Sequence, residues 1–250
     1  MKAIYIIWLR WVKRYLRSKS RIIGSLGMPL FFLILLGFGL NPSVKMAGVE
    51  KGYFGFVVPG IVAMSVLFVS MFAGIQVIWD KQFGFLKETL VAPISRVEIM
   101  IGQTFGGATT SLIQGLVTMV IAILLGGGLT FELKGFLIAL AFMLLIGISF
   151  TALGIAIASK MEDMHGFQLI MNFVIFPIFG LSGALFPIDN IPQWARYLVY
   201  VDPMTYGVEG IRYGLLGTSN ITPVASFLFL SSFTLLTIIV GQHLFKKVEV

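Results

Sequence analysis

Residues 56–78, FVVPGIVAMSVLFVSMFAGIQVI, decide the fold. No charged residue occurs between Lys51 and Asp80. A helix needs about 20 consecutive apolar residues to cross the hydrocarbon core of a bilayer. A helix that is apolar on every side belongs either deep in a large protein or in a membrane. Composition chooses between the two. Over the 250 residues, 58% are hydrophobic and 12% charged, against about 25% charged in soluble domains. The chain reads as an integral membrane protein.

Working outward, five more segments have the same character. They are Ile22 to Leu40 with Pro29 near its start, Ile99 to Leu125 ended by Gly126-Gly127-Gly128, and Gly135 to Ser159. Gly166 to Phe186 contains Pro177, and Pro223 to Phe245 is the last. The expected fold is all-α and integral to the membrane, one domain over 1–250. Residues 1–21 form a cytoplasmic interface helix, 22–245 the six-span region and 246–250 a cytoplasmic tail.

Lys/Arg placement orients the spans. Lys2, Arg10, Lys13, Arg14, Arg17, Lys19, Arg21, Lys81, Lys87, Arg96, Lys160, Lys246 and Lys247 fall on one side. The other side has Lys45, Lys51, Lys134, Arg196 and Arg212. The richer side is expected to be cytoplasmic, with both termini inside a multi-pass cell (plasma or inner) membrane protein. The net charge of +7 then addresses lipid phosphates rather than nucleic acid.

The N-terminal stretch does not read as a signal peptide, since Arg10 interrupts its apolar run and no small-residue cleavage site follows. Ile4, Ile7, Trp8, Trp11 and Tyr15 share one helical face, and Arg10, Lys13, Arg14 and Arg17 another. That pattern predicts a basic amphipathic helix on the headgroups. Two roles stay open for Trp8, Trp11 and Arg14: a plain lipid anchor, or part of a docking surface.

Chemistry is conspicuous by its absence. No GxxxxGK[ST], GxSxG or HExxH occurs, and there is no cysteine. His165 and His243 stand far apart, so no catalytic residue and no metal site is expected. The carboxylates fall in loops and none sits in the middle of a span, which argues against a proton relay. In the third span Gln103, Thr110, Ser111 and Gln114 share a stripe with Gly107 and Thr118. Such a stripe serves close helix packing or lines a pathway, and both readings stay open.

Between the last two spans lies ALFPIDNIPQWARYLVYVDPMTYGVEGIRYGLLGTSNI, residues 184–221. It is too apolar for an ordinary loop and too broken for a span. Proline suits the first turn of a helix. One short helix is expected after Pro192, to about Val201. A second is expected from Pro203, N-capped by Asp202, to about Leu216. Glu209 and Arg212 are three apart, so their charges can pair. The segment reads as a re-entrant helical hairpin, or as one lying flat with Trp194, Tyr197, Tyr200 and Tyr206 as an interfacial belt.

Three stretches together carry a resemblance. They are IFPIFGLSGALFPIDNIP (175–192) followed by PMTYGVEGIR (203–212), with Pro203, Tyr206 and Arg212 at the spaced positions; FGFLKETLVAPISRVEIMIG (83–102); and the N-terminal basic helix. The chain resembles the membrane subunits of ABC-2 type exporters, the family of daunorubicin-resistance, nodulation-factor and O-antigen permeases. It departs from the family pattern at Phe85, where many members have Thr, and at Ala92, where many have Ser before Pro93. The resemblance implies a coupling helix between spans 2 and 3 that seats in a separate nucleotide-binding ATPase subunit. Phe85, Leu86 and Leu90 would be its apolar anchors, Lys87 and Glu88 its water-facing charges, and Pro93 its end. Without the resemblance, the same segment also reads as a loop whose cations only fix topology. The resemblance further implies a second copy or a homologous permease as partner, ATP and Mg on the ATPase rather than on this chain, and export of an amphipathic drug, lipid or lipid-linked glycan. Rival readings are a secondary transporter or passive channel without an ATPase, and a membrane scaffold or immunity protein.

Overall fold

The computed structural model describes residues 2–40, 52–91, 93–126, 132–188 and 192–246, and among these it contains helices and no strand. Helix α1 is Lys2–Arg17 and α2 Lys19–Ile34, with a wider π-type stretch over Leu35–Leu40 continuing α2. Helices α3 (Gly52–Phe72) and α4 (Ile75–Gln82) are separated only by a turn at Ala73 and Gly74. Then come α5 (Phe85–Val91), α6 (Arg96–Leu124), α7 (Leu133–Ala158) and α8 (Met164–Leu181). The chain continues with α9 (Gln193–Val201), α10 (Pro203–Leu216) and α11 (Pro223–Lys246).

Among the described residues, six helical stretches are long and apolar enough to cross a membrane: α2, α3 with α4, α6, α7, α8 and α11. They fall within a few residues of the expected spans. Two bounds differ. The second stretch starts earlier, at Gly52, and ends later, at Gln82. The fifth stops at Leu181 rather than Phe186, because Gly183 turns the chain with φ of 67°, a conformation that only glycine adopts cheaply. Gly127, Gly128 and Lys247 lie outside the described residues.

Local signals set several helix starts. Ser95 and Glu98 form a reciprocal capping box at α6, which satisfies two donors that a helix start leaves bare. Asp163 caps α8, and the N–H groups of Gly166 and His165 hold its carboxyl below the usual range. Asp202 caps α10 by accepting from the Met204 N–H at 3.0 Å, and Pro203 takes the first helical position.

Helix α7 is the centre of the bundle and packs against α3, α6, α10 and α11. Glycines make those approaches possible. Gly154 leaves no room for a Cβ because the Met71 carbonyl of α3 occupies that space. Gly107 of α6 lies against Thr151, and Gly147 of α7 against Ser111. Helix α10 runs antiparallel along the first half of α7, with Gly207 at Ile146, Gly210 at Phe142 and Gly214 at Gly135. Helix α3 is buried around nearly its whole circumference. Helices α2 and α8 instead present Ile23, Phe31, Ile34, Leu169 and Phe173 outward.

A Cβ at Gly214 would sit 2.6 Å from the Gly135 oxygen and 2.7 Å from the Ala139 nitrogen, whereas one at Gly180 meets nothing within 4 Å. Gly214→Ala should therefore lower stability by about 1–3 kcal/mol, the usual cost of overpacking. Gly180→Ala should be neutral or stabilising by up to about 1 kcal/mol through helix propensity. Thermal unfolding of the two variants in one detergent checks the contrast.

Candidate functional site

The most deeply buried ion pair among the described residues lies on α10. Glu209 and Arg212 are buried at 0% and 3% exposure. They form a direct ion pair, as their spacing on one helix face allows. Each also reaches beyond α10. Arg212 donates from Nη2 to the Gly183 carbonyl at 2.8 Å and lies 4.2 Å from the centre of the Phe56 ring. Glu209 Oε2 accepts from the backbone N–H of Asn220 at 2.5 Å and of Ile221 at 3.4 Å. The pair thereby clips the end of α8, the start of α3 and the turn before α11 to one point. Tyr206 stacks on Phe229 with ring centres 4.0 Å apart and donates to the Tyr200 carbonyl at 2.8 Å. Pro203 occupies the first turn.

Helix α9 buries Ala195 and Val199 and leaves Trp194, Tyr197 and Tyr200 exposed. Between α9 and α10, Asp202 is buried and accepts from the Met204 N–H.

Helix α1 rests on protein. Its aromatic face runs alongside the first half of α6, where two glycines form a notch. Gly102 faces Ile7 and Gly106 faces the Trp11 ring. Trp8 Nε1 donates to Thr109 at 2.9 Å, and the Tyr15 hydroxyl to Gln114 Oε1 at 2.8 Å. The face expected to sink into lipid thus seats on α6, because apolar periodicity does not distinguish lipid from a neighbouring helix.

Asp80 fixes the other side of α1. This buried carboxylate is 3.3 Å from Arg10 and 3.6 Å from Arg14, and it accepts from Gln76 at 2.9 Å. Sequence reasoning filed Asp80 among the loop acids. The available signal was its place, one helical turn after Gln76 at the end of a span and opposite a basic helix.

Helix α5 follows a left-handed Gly84 (φ of 77°). Phe85 is 45% exposed and Glu88 is exposed, but Leu86 is 1% exposed. Leu86, expected as an anchor for a partner, therefore belongs to this chain's own core. The side chains of Lys87 and Leu90 lie outside the described residues. A feature missed in the sequence stands beside α5: Trp79 and Phe83 stack at 5.1 Å and are both exposed.

On α6 the polar stripe is buried throughout: Gln103, Thr110, Ser111 and Gln114. Thr110 and Ser111 bond back to the Gly107 and Ala108 carbonyls. Gln103 Oε1 and Gln114 Nε2 have no hydrogen-bond partner among the described residues. Ser111 contacts α7, and Thr110 also lines a groove between α1, α2 and α3.

Comparison with known proteins supplies what geometry does not. The family model for ABC-2 type transporters matches residues 2–216. A putative transport permease, ycf38, of Cyanophora paradoxa is 27% identical over 99% of this chain and 89% of its own length. The inner membrane transport permease YadH of Escherichia coli (strain K12) is 24% identical over 90% of this chain and 87% of its own. Nodulation protein J of Rhizobium leguminosarum bv. viciae is 28% identical over 84% and 82%.

Arg212→Ala should cost about 3–5 kcal/mol, because it strands a buried carboxylate. Replacing both partners, Glu209→Gln with Arg212→Met, should cost less than that single change. Unfolding midpoints of the singles and the double test the coupling.

Proposed function

The chain belongs to the ABC-2 type transporter family and is a multi-pass membrane transport permease; on that footing we propose that it is the transmembrane subunit of an ATP-driven exporter. The observation that carries the reading is α5. It is a seven-residue helix, far too short to span, set off from the second span by Gly84 and from the third by Pro93 and the Ser95 cap. It presents Phe85 and Glu88 outward beside the stacked Trp79 and Phe83. An exposed aromatic cluster next to a charge suits a protein partner better than water. We assign α5 as the coupling helix, with Phe85 rather than Leu86 as its free anchor. The partner is a nucleotide-binding ATPase subunit, which carries ATP and Mg.

Helix α1 extends this docking side. Its Arg10 and Arg14 are held by Asp80, in the turn of helix that leads into α5. Both termini and α5 face the cytoplasm of the cell membrane, in keeping with the Lys/Arg bias. On the outer side, α9 and α10 form the re-entrant hairpin, supported by the course of α10 along half of α7 and by the burial of Glu209 and Arg212. A second copy or a homologous permease completes the pathway, and the substrate is amphipathic. Closure of the ATPases moves α5 and biases the equilibrium between inward and outward openings.

Pull-down of the tagged chain from native membranes in mild detergent should bring down a stoichiometric soluble ATPase. Glu88→Arg should abolish that capture while leaving thermal stability unchanged. Recovery of the chain alone, under conditions that hold another ATP-driven transporter together, overturns the reading.

A further inference from the structure

A groove of about 490 Å³, open on one side, runs between α1, α2 and the α3–α4 stretch. Its volume lies within the roughly 300–1,000 Å³ of ordinary ligand sites. Its lining is ordered by chemistry. On α2, Arg21, Gly24 and Met28 fall on one helical stripe. On the facing wall are Phe68 and Phe72 of α3 and Gln76 of α4. Consecutive spans run antiparallel, so Arg21 and Gln76 stand at one end, and Met28 and Phe68 at the other. At 1.5 Å per residue the apolar wall extends about 10 Å from Arg21.

The polar end has a cation without an anion. Arg10, Arg14 and Arg212 each have a carboxylate within 4 Å. Arg21 lines the groove with no such partner among the described residues. It lies at the start of its span, the depth at which lipid phosphates sit. Gly24, the next lining residue on α2, has nothing within 4 Å of where its Cβ would be, so the groove is free of protein atoms there.

We propose that this groove binds one acidic phospholipid of the surrounding leaflet, its phosphate on Arg21 and one acyl chain along Met28, Phe68 and Phe72. Guanidinium pairs with phosphate through two parallel hydrogen bonds. The apolar wall takes the tail, and the open side admits the lipid laterally from the bilayer. The site belongs to a single copy of the chain. Its test uses neither an ATPase nor a transport assay, so its failure leaves the exporter reading untouched.

The experiment places the purified full chain in nanodiscs of phosphatidylcholine and phosphatidylglycerol, and counts the lipid retained after transfer to detergent by native mass spectrometry. One phosphatidylglycerol per chain should be retained in preference to phosphatidylcholine. Arg21→Gln should weaken that preference about fivefold, the worth of one cation at a lipid surface. Gly24→Leu should expel both lipids while leaving the unfolding midpoint in lipid-free detergent unchanged or raised. Lys13→Gln and Lys19→Gln, exposed cations outside the groove, should retain the preference. Equal loss in those controls reduces the effect to diffuse surface charge and overturns the proposal. So does wild-type retention in Arg21→Gln, or a non-lipid solute retained in place of phosphatidylglycerol.

Discussion

Close approach of helix backbones to α7 is the constraint on which the rest depends. Within a bilayer, apolar side chains gain little by leaving lipid for protein, so packing contacts must hold the bundle together. The glycine contacts of α7 with α3, α6 and α10 supply them. Once α10 is seated in the Gly135 to Ile146 half of α7, Glu209 and Arg212 are drawn inside with it. Their mutual pairing, and their bonds to Gly183 and Asn220, follow as the condition for that burial. The charge cluster is a consequence of the packing as much as a cause of it.

Two charged clusters therefore sit at opposite sides of the fold with similar logic. On α10 an ion pair binds together the turns around α8 and α11. Near α4 a single carboxylate, Asp80, binds two arginines of α1. Each ties a short helix outside the six spans to the bundle. Four buried hydroxyls of α6 and α7 do something different. Thr104, Thr110, Ser111 and Ser149 return their hydrogen bonds to carbonyls of their own helix. This keeps polar atoms satisfied without dictating a neighbour.

Much of this was legible because its signals are local. Charge-free length located the spans, proline with Asp202 located α9 and α10, and the three-residue spacing foretold a Glu209–Arg212 contact. What escaped depends on partners distant in sequence. The amphipathicity of α1 marked Trp8, Trp11 and Tyr15 as one face, but nothing near them names α6 as its seat. The notch at Gly102 and Gly106 becomes meaningful only when α1 is laid against it. Leu86 read as an anchor because a seven-residue helix does not reveal which side meets its own chain. Asp80 looked like a loop acid because its arginine partners lie some 70 residues away. The stop of α8 at Leu181 was missed because the apolar run carries on past Gly183 to Phe186.

The seat of α1 has a consequence for the order of assembly. Its bonds from Trp8 to Thr109 and from Tyr15 to Gln114 span 101 and 99 residues of chain. At about 5–20 residues per second of synthesis, α1 leaves the ribosome several seconds before α6 exists. During that wait Asp80 emerges to take Arg10 and Arg14 of α1, but the tryptophans have only the membrane surface to meet, for which their amphipathic arrangement is suited. Helix α1 thus docks only once the third span, α6, has been made. The headgroup-binding pattern written into residues 2–17 describes where α1 waits, and the glycines of α6 decide where it ends.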